Sequence, residues 1–157
     1  MNERLEVIVK NGNNYDIVYD FGFDALKDEL IRLELTDRKA CIVTDSIVEP
    51  LYAAELTKVL EEAGNKVSLF VFQSGEERKN LDTIQDLFEK LIQEHFERRD
   101  FLVALGGGVT GDMTGFAAAS YLRGIDLIQV PTTLLSMVDS SVGGKTGVDF
   151  RQYKNMV

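Results

Sequence analysis

The chain has 157 residues, a length that suits one domain, and 45% of them are hydrophobic, as in an ordinary globular protein. Its net charge of -9 disfavours nucleic acid as a partner, because an acidic surface repels a phosphate backbone. The single cysteine excludes an internal disulfide bond. The sequence shows neither the apolar stretch of a signal peptide nor the roughly 20 apolar residues of a membrane span, so we expect a cytoplasmic protein without membrane partners.

Hydrophobic spacing predicts the secondary structure in chain order. Alternating apolar residues predict two strands, at 5 to 9 and 15 to 20, which the polar turn at 11 to 14 joins into a β-hairpin. Helical spacing follows at 23 to 35. Apolar strands then alternate with helices: strands at 40 to 44, 67 to 72, 101 to 105 and 127 to 130, and helices at 51 to 63, 81 to 96, 111 to 121 and from 132.

This alternation decides the fold class. Strands without polar alternation, separated by helices, are typical of a parallel sheet that is covered on both faces. We therefore predict an α/β fold: a Rossmann-like parallel sheet with helices on both faces and an N-terminal β-hairpin, forming one domain over residues 1 to 157. Ligands of such sheets gather outside the carboxyl ends of the strands, so those loops are the first candidates for function.

The strongest local signal is a glycine-rich loop between an apolar strand and a helix. Gly106, Gly108 and Gly111 have the spacing G-x-G-x-x-G. Glycine allows the backbone to approach a ligand closely, and the free N–H groups that open the next helix attract an anion. The loop predicts a pyrophosphate site. A tight structural turn is the alternative, since the usual fingerprint lies on the first strand of a domain.

Polar residues also follow the other strands. Asp45 can accept hydrogen bonds from ribose hydroxyls or cap the next helix. The polar loop at 73 to 80 either lines a ligand or is a solvated turn, and Thr132 and Thr133 either bind a ligand or cap a helix. Because all of these segments lie at one edge of the predicted sheet, together they predict a ligand cleft.

Several other residue types need an interpretation. Lys145 lies in the glycine-rich run at 140 to 147, which lacks the first glycine of a P-loop because Asp139 stands there. Its ammonium either pairs with a phosphate or carboxylate or is free at the surface. We interpret His95, the only histidine, as a surface residue and Cys41 as a buried structural thiol. No group of His, Cys and acidic residues has the spacing of a metal site.

Six runs of residues occur in an order and at a spacing that together resemble one known family. The runs are Ser74-Gly75-Glu76 with Lys79, Gly106-Gly107-Gly108-Val109-Thr110-Gly111-Asp112, Arg123-Gly124, Pro131-Thr132-Thr133-Leu134-Leu135, Asp139-Ser140-Ser141-Val142-Gly143-Gly144-Lys145-Thr146 and Lys154-Asn155-Met156. They resemble the 3-dehydroquinate synthases. The resemblance covers the whole chain, although residues 1 to 65 match mainly in pattern. Iron-type alcohol and glycerol dehydrogenases are similar in fold but lack the run from 139 to 146.

The resemblance implies a set of site residues. Asp139 and Lys145 would meet the substrate, and Arg123 would reach the substrate phosphate of a neighbouring subunit, which implies a homodimer. NAD would bind in the cleft through Asp45, Ser74, Gly75, Glu76, Lys79, Gly107, Gly108, Val109, Thr110, Gly111, Asp112, Thr132, Thr133, Lys154 and Asn155.

The resemblance also implies a reaction. The family converts 3-deoxy-D-arabino-heptulosonate 7-phosphate, a seven-carbon sugar-acid phosphate, to 3-dehydroquinate and phosphate on the shikimate route to aromatic amino acids. NAD is oxidant and then reductant, and a divalent metal, zinc or cobalt, polarises the oxygen that is oxidised. The family's metal ligands, one Glu and two His, belong to a helical second domain that is absent from this sequence. We therefore expect this chain to be inactive alone.

Two alternatives remain at this point. Other sugar-phosphate cyclases, such as inosose or valiolone synthases, share the fold, NAD and the metal. A non-catalytic nucleotide-binding module is the alternative from a different class, and it predicts a stop codon near codon 157. A reading frame that continues for roughly another domain's length would exclude that module.

Overall fold

A computed structural model describes residues 3–10 and 12–157. Its strands and helices are β1 (Glu3–Val7), β2 (Tyr15–Tyr19), α1 (Asp24–Arg32), β3 (Lys39–Asp45), α2 (Glu49–Glu62), β4 (Lys66–Phe72), α3 (Leu81–Gln93), β5 (Phe101–Gly106), α4 (Gly108–Ser120) and β6 (Asp126–Pro131). Two 3₁₀ turns, Glu76–Arg78 and Tyr121–Arg123, and a π-helix, Ser136–Ser140, occur between or after them. Across these described residues, no helix is long and apolar enough to span a bilayer.

Four strands form one parallel sheet in the order β4-β3-β5-β6. Every residue of β5 is buried, as its continuous apolar sequence predicts for a central parallel strand. The chain moves outward from β3 to β4 in one direction and from β5 to β6 in the other. The strand order therefore reverses between β3 and β5, and a doubly wound sheet binds its ligands at such a switch point.

Helices cover both faces of the sheet. Successive residues of a strand point to opposite faces, so Cys41 and Leu102 pack against α3 and α4, whereas Ile42 and Val103 pack against α1 and α2. All four of these side chains have no exposed surface. The predicted α/β fold with helices on both faces is confirmed, and so is the buried position of Cys41. The antiparallel hairpin β1-β2 confirms the remaining element of that fold.

The hairpin is attached to α1 by charged side chains. The carboxylate of Asp16 on β2 lies 2.7 Å from Arg4 on β1 and 2.7 Å from Arg32 on α1. Glu29 on α1 pairs with the same two arginines. The two strands are thus fixed to a helix of the main domain. The predicted turn at 11 to 14 falls partly on residue 11, which lies outside the described residues.

Helices α1 and α3 each end three residues earlier than their apolar spacing predicts. Glu34 and His95 both adopt a left-handed φ of 56°, which stops each helix. The next amides then bond back, from Leu35 to the Leu30 carbonyl at 2.8 Å and from Phe96 to the Leu91 carbonyl at 2.9 Å. Leu35 and Phe96 remain buried. The apolar pattern therefore extends past the helical backbone.

Other element ends also differ from the prediction. β1 lies two residues earlier than expected, and α4 begins at Gly108 rather than at residue 111. The helix expected from 132 begins two residues later, at Leu134, and widens into the π-helix at Ser136. Ser136 donates its hydroxyl proton to the Thr133 carbonyl at 2.9 Å, and the Ser141 amide bonds to the Ser136 carbonyl five residues back at 3.0 Å. These bonds favour the wider π turn over an α turn.

Candidate functional site

A cleft of about 250 Å³ opens at the carboxyl edge of the sheet, between the ends of β3 and β5. It is lined by the loops that follow β3, β4 and β5 and by one residue that follows β6. The lining residues are Asp45, Ile47, Val48, Phe72, Ser74, Gly75, Glu76, Gly107, Gly108, Val109, Thr110 and Thr133. The structure therefore brings together polar segments that the sequence places at four separate strand ends.

Three apolar residues of this lining were not selected from the sequence. Ile47, Val48 and Phe72 line the cleft beside the polar loops. Their only sequence signal is position: Ile47 and Val48 come two and three residues after Asp45, and Phe72 precedes the loop that contains Ser74. Apolar walls with a few placed polar groups are typical of small-molecule sites.

The N-terminus of α4 provides the backbone donors of the cleft. Gly107 is the N-cap, and the Gly111 amide closes the first turn on the Gly107 carbonyl at 3.0 Å. The amides of the residues between them have no helical partner and carry the positive end of the helix dipole. The first turn contains no acidic residue. Such a terminus binds phosphate or another anion.

The glycines of this loop have two different purposes. A β-carbon at Gly106 would lie 2.7 Å from Thr110 Cβ, and one at Gly111 would lie 2.8 Å from Gln129 Oε1. Packing therefore requires glycine at 106, as the structural-turn alternative proposes, whereas at 111 the neighbouring atom is the end of a flexible glutamine side chain. Gly107 and Gly108 line the cleft, where side chains would narrow the approach to the amides. We name residues 107–110 the glycine cradle.

Asp45 at the end of β3 caps the next turn and also lines the cleft. Its Oδ1 accepts the amides of Ile47 at 2.8 Å and Val48 at 3.1 Å, so the carboxylate caps the turn that leads into α2. The same side chain lines the cleft. Ser46 beside it accepts the Ser74 amide at 3.1 Å and so ties the loop after β3 to the loop after β4.

A buried ammonium joins three distant segments next to the cleft. Lys79 is 4% exposed, and its Nζ lies 2.6 Å from Asp112 Oδ2 and 2.6 Å from Asn155 Oδ1. Its backbone carbonyl accepts the Asp149 amide at 2.8 Å. Asp149 in turn accepts the Asn155 amide on Oδ1 at 2.7 Å. The network holds the last residues of the chain against α4 and the loop after β4.

The remaining residues predicted for this edge are more exposed. The Nζ atom of Lys154 lies 3.6 Å from Oε1 of Glu76, which lies in the loop after β4. Asp139 is exposed on the π-helix, and Lys145 is exposed in the glycine-rich run. The Thr132 amide bonds to the Gly106 carbonyl at 2.9 Å. These positions give access to a ligand, and the roles of the residues stay predictions.

Arg123 does not reach the cleft. Helix α4 leads from the glycine cradle to the opposite edge of the sheet, and its 13 residues span about 20 Å. Leu122 and Arg123 at its far end have left-handed φ of 48° and 70°, and Arg123 is exposed. Any role of Arg123 in catalysis must therefore concern a site other than the cleft of its own chain.

A larger depression of about 350 Å³ at the opposite edge of the sheet is lined mainly by charged residues. Its buried carboxylate, Asp100, already accepts the amides of Lys39 at 3.0 Å and Glu97 at 2.7 Å. These bonds hold the neighbouring loops in place and occupy the Asp100 carboxylate. His95 is exposed and its carbonyl accepts Lys39 Nζ at 2.6 Å. Among residues 3–10 and 12–157, no three potential metal ligands lie together.

The doubly wound sheet with a cleft at its switch point places the chain in the class of Rossmann-like α/β domains. Residues 69–157 match the family model described as 3-dehydroquinate synthase N-terminal, and the chain belongs to this family. A 3-dehydroquinate synthase of Streptococcus pneumoniae is 48% identical over 143 residues, which cover 91% of this chain and 40% of that enzyme. The chain thus spans about two fifths of the length of the curated relatives it matches.

Solved structures of related enzymes have the same fold. A 2-deoxy-scyllo-inosose synthase complexed with carbaglucose-6-phosphate, NAD+ and Co2+ is 30% identical, with a TM-score of 0.84 over 99% of this chain and 41% of that one. A 2-epi-5-epi-valiolone synthase of Streptomyces hygroscopicus with NAD+ and Zn2+ bound is 32% identical, with a TM-score of 0.73 over 84% of this chain and 37% of that one. The family resemblance drawn from the sequence is confirmed.

Proposed function

We propose that this chain is the cofactor-binding part of a 3-dehydroquinate synthase, a lyase that converts 3-deoxy-D-arabino-heptulosonate 7-phosphate to 3-dehydroquinate and phosphate. The observation that carries the proposal is the cleft between β3 and β5, where the glycine cradle meets Asp45, the loop at 74 to 76 and Thr133. The 48% identity to a 3-dehydroquinate synthase supports this reaction over those of related cyclases. A cytoplasmic location belongs to the same proposal.

The residues of the cleft fit NAD. The free amides of the glycine cradle suit its diphosphate, and Asp45 suits a ribose hydroxyl on the neighbouring strand end. Gly107 and Gly108 line the cleft without a side chain that could cover these amides. A β-carbon on Gly108 would also stand 3.1 Å from Ser140 Oγ. When bound, NAD supplies hydride acceptance and return. The other motif residues at this edge complete the contacts: Ser74, Gly75, Glu76, Lys79, Asp112, Thr132, Thr133, Lys154 and Asn155.

Some polar and charged side chains at this edge suit the cofactor, and others suit the substrate. The Lys79 ammonium is neutralised by Asp112, so this pair orients neighbouring groups without adding net charge. Asn155 uses its carbonyl oxygen on Lys79, which directs its amide N–H groups to a ligand hydroxyl. Lys145 is exposed and suits the carboxylate or phosphate of the substrate, while Asp139 suits substrate hydroxyls. The divalent metal of the family enters this proposal only with ligands from outside this chain.

Arg123 supports a homodimer within the same proposal. Its position about 20 Å from the cradle of its own chain suits a role at the substrate phosphate of a second subunit. Mixing two inactive variants of the full-length protein, Arg123→Ala and Lys145→Ala, tests this. In a mixed dimer one of the two sites has both residues, so random mixing should restore about one quarter of wild-type activity. No restoration would exclude action across subunits.

The direct test of the function is an assay of the full-length protein with the sugar-acid phosphate and catalytic NAD. We expect phosphate release without net NADH formation, and no turnover by the 157-residue chain alone. A related cyclase is the second candidate, favoured by the TM-score of 0.84 to 2-deoxy-scyllo-inosose synthase. Turnover of a hexose 6-phosphate, and none of the heptulosonate phosphate, would replace the proposal with that candidate.

A further inference from the structure

The glycine-rich loop that carries Lys145 has very little support of its own. Gly143 and Gly144 adopt left-handed φ of 98° and 80°, and a β-carbon on either would meet no atom within 4 Å. Residues 143–146 are exposed. Such a segment samples many conformations unless contacts from elsewhere in the fold hold it. The position of the Lys145 ammonium depends on those contacts.

Two contacts from other parts of the fold hold the loop, one at each end. At its far end, the methyl group of Thr146 occupies the space that a side chain at Gly115 of α4 would take. At its near end, the Gly143 amide donates a hydrogen bond of 2.8 Å to the hydroxyl of Tyr15. Among the described residues, this is the only hydrogen bond that the structure records for residues 143–146.

Tyr15 is well suited to support a loop. It lies on β2, half-buried, and pairs with Val7 across the hairpin. The next residue, Asp16, points to the other face of the hairpin and is bound by Arg4 and Arg32, each at 2.7 Å. The ring of Tyr15 therefore extends from a strand that is fixed to α1. Its hydroxyl reaches a loop 128 residues later in the chain.

We propose that Tyr15 is a positioning residue: by accepting the Gly143 amide, its hydroxyl fixes the loop that carries Lys145 in the conformation that binds the anionic substrate. The role of Lys145 in this statement rests on the proposed function. The hairpin thereby contributes to the site although no residue of β1 or β2 lines the cleft. Preorganising a loop lowers the entropy that ligand binding must offset, so its loss weakens binding.

The test uses Tyr15→Phe, which removes only the hydroxyl. Tyr19→Phe is the matched control, because Tyr19 lies on the same strand and is 54% exposed. Hydrogen exchange over residues 139 to 147 should be about fivefold faster in Tyr15→Phe, as expected for one lost hydrogen bond, and unchanged in Tyr19→Phe. Unchanged exchange in Tyr15→Phe would overturn the proposal, whatever the protein's reaction.

Kinetics of the full-length protein then test the link to Lys145. Tyr15→Phe should raise KM for the sugar-acid phosphate about fivefold, with kcat and the affinity for NAD near wild type. In the inactive Lys145→Ala background, the calorimetric affinity for the sugar-acid phosphate should not fall further when Tyr15→Phe is added, because Tyr15 acts through that loop. Faster exchange with an unchanged KM would overturn the positioning role. Absence of turnover in the wild type would contradict the proposed function. The hydrogen-exchange experiment would then be the test of whether Tyr15 holds the loop.

Discussion

Lys79 and Asp112 form a partly buried ion pair in which Nζ and Oδ2 are 2.6 Å apart, although the two residues come from different segments of the chain. Lys79 precedes α3, and Asp112 lies in the first half of α4. The side chain of Lys79 is 4% exposed and that of Asp112 is 23% exposed. The same ammonium bonds to Asn155, so a single side chain connects α4, beside the cleft, to the last residues of the chain.

Removing one partner of this pair should destabilise the protein strongly. Lys79→Met leaves a partly buried carboxylate without its cation, which costs about 3 kcal/mol in the free energy of unfolding. The double variant Lys79→Met/Asp112→Asn should cost less than the sum of the single variants, because no uncompensated charge remains. Urea denaturation measures all three. Lys58→Met is the control, since Lys58 is 76% exposed and should change stability by less than about 0.5 kcal/mol.

The glycine cradle predicts a specific loss of cofactor binding. A valine at position 108 would fill the approach to the amides that open α4, so Gly108→Val in the full-length protein should show no NAD binding by calorimetry. Ala119→Val adds a similar side chain at the exposed far end of the same helix and should bind NAD normally. Equal NAD affinity in Gly108→Val and wild type would exclude residues 107–110 as the diphosphate site.

The buried thiol of Cys41 should be unreactive in the folded protein. Burial raises the pKa of Cys41 to about 12, so at pH 8 only about one thiol in ten thousand is ionised. A reagent that labels thiols by disulfide exchange should therefore react with Cys41 only as fast as the folded protein unfolds. In denaturant the same reagent should react quickly. Stoichiometric labelling within seconds under native conditions would contradict the buried position on β3.

Glu94 should make stability depend on acid pH. Burial alone would raise the pKa of Glu94, but the hydrogen bonds from Lys90 and Ser68 outweigh it, and the pKa is lowered from 4.5. A lowered folded-state pKa means that this stabilisation is complete above about pH 4.5 and is lost as the pH falls through the lower value. Wild type should therefore lose more stability than Glu94→Gln between pH 5 and pH 3 in denaturation experiments.

An equal acid response of the two proteins would show that the bonds of Glu94 to Lys90 and Ser68 contribute nothing. Glu89→Gln removes a negative charge from an exposed position on α3 and controls for the change in net charge. A response of Glu89→Gln like that of Glu94→Gln would assign the effect to net charge rather than to these bonds.

The strands and their order along the chain follow from the sequence because each is a short apolar run with its own boundaries. The edge at which Asp45, the glycine cradle and Thr133 meet could also be predicted, since parallel strands all present their carboxyl ends on one side. That prediction needs no knowledge of side-chain contacts. The local sequence pattern alone therefore predicts the location of the cleft.

Contacts between distant residues could not be predicted in the same way. The bonds from Lys79 to Asp112 and Asn155 cross 33 and 76 residues, and the bond from Gly143 to Tyr15 crosses 128. The hydrophobic periodicity of the sequence gives no information about such pairs. The start of α4 at Gly108 and the left-handed ends of α1 and α3 also depend on backbone bonds that become defined only when the neighbouring elements pack.

The placement of the cradle and Arg123 at opposite ends of α4 constrains how this helix can change. Each inserted residue lengthens an α-helix by about 1.5 Å and rotates everything beyond it by about 100°. One insertion inside α4 would leave the cradle in place but turn Arg123 away from a second subunit. In the proposed dimer, the 13-residue length of α4 would set the distance from the glycine cradle to Arg123, so we expect insertions in α4 to be tolerated less well than substitutions at its exposed residues.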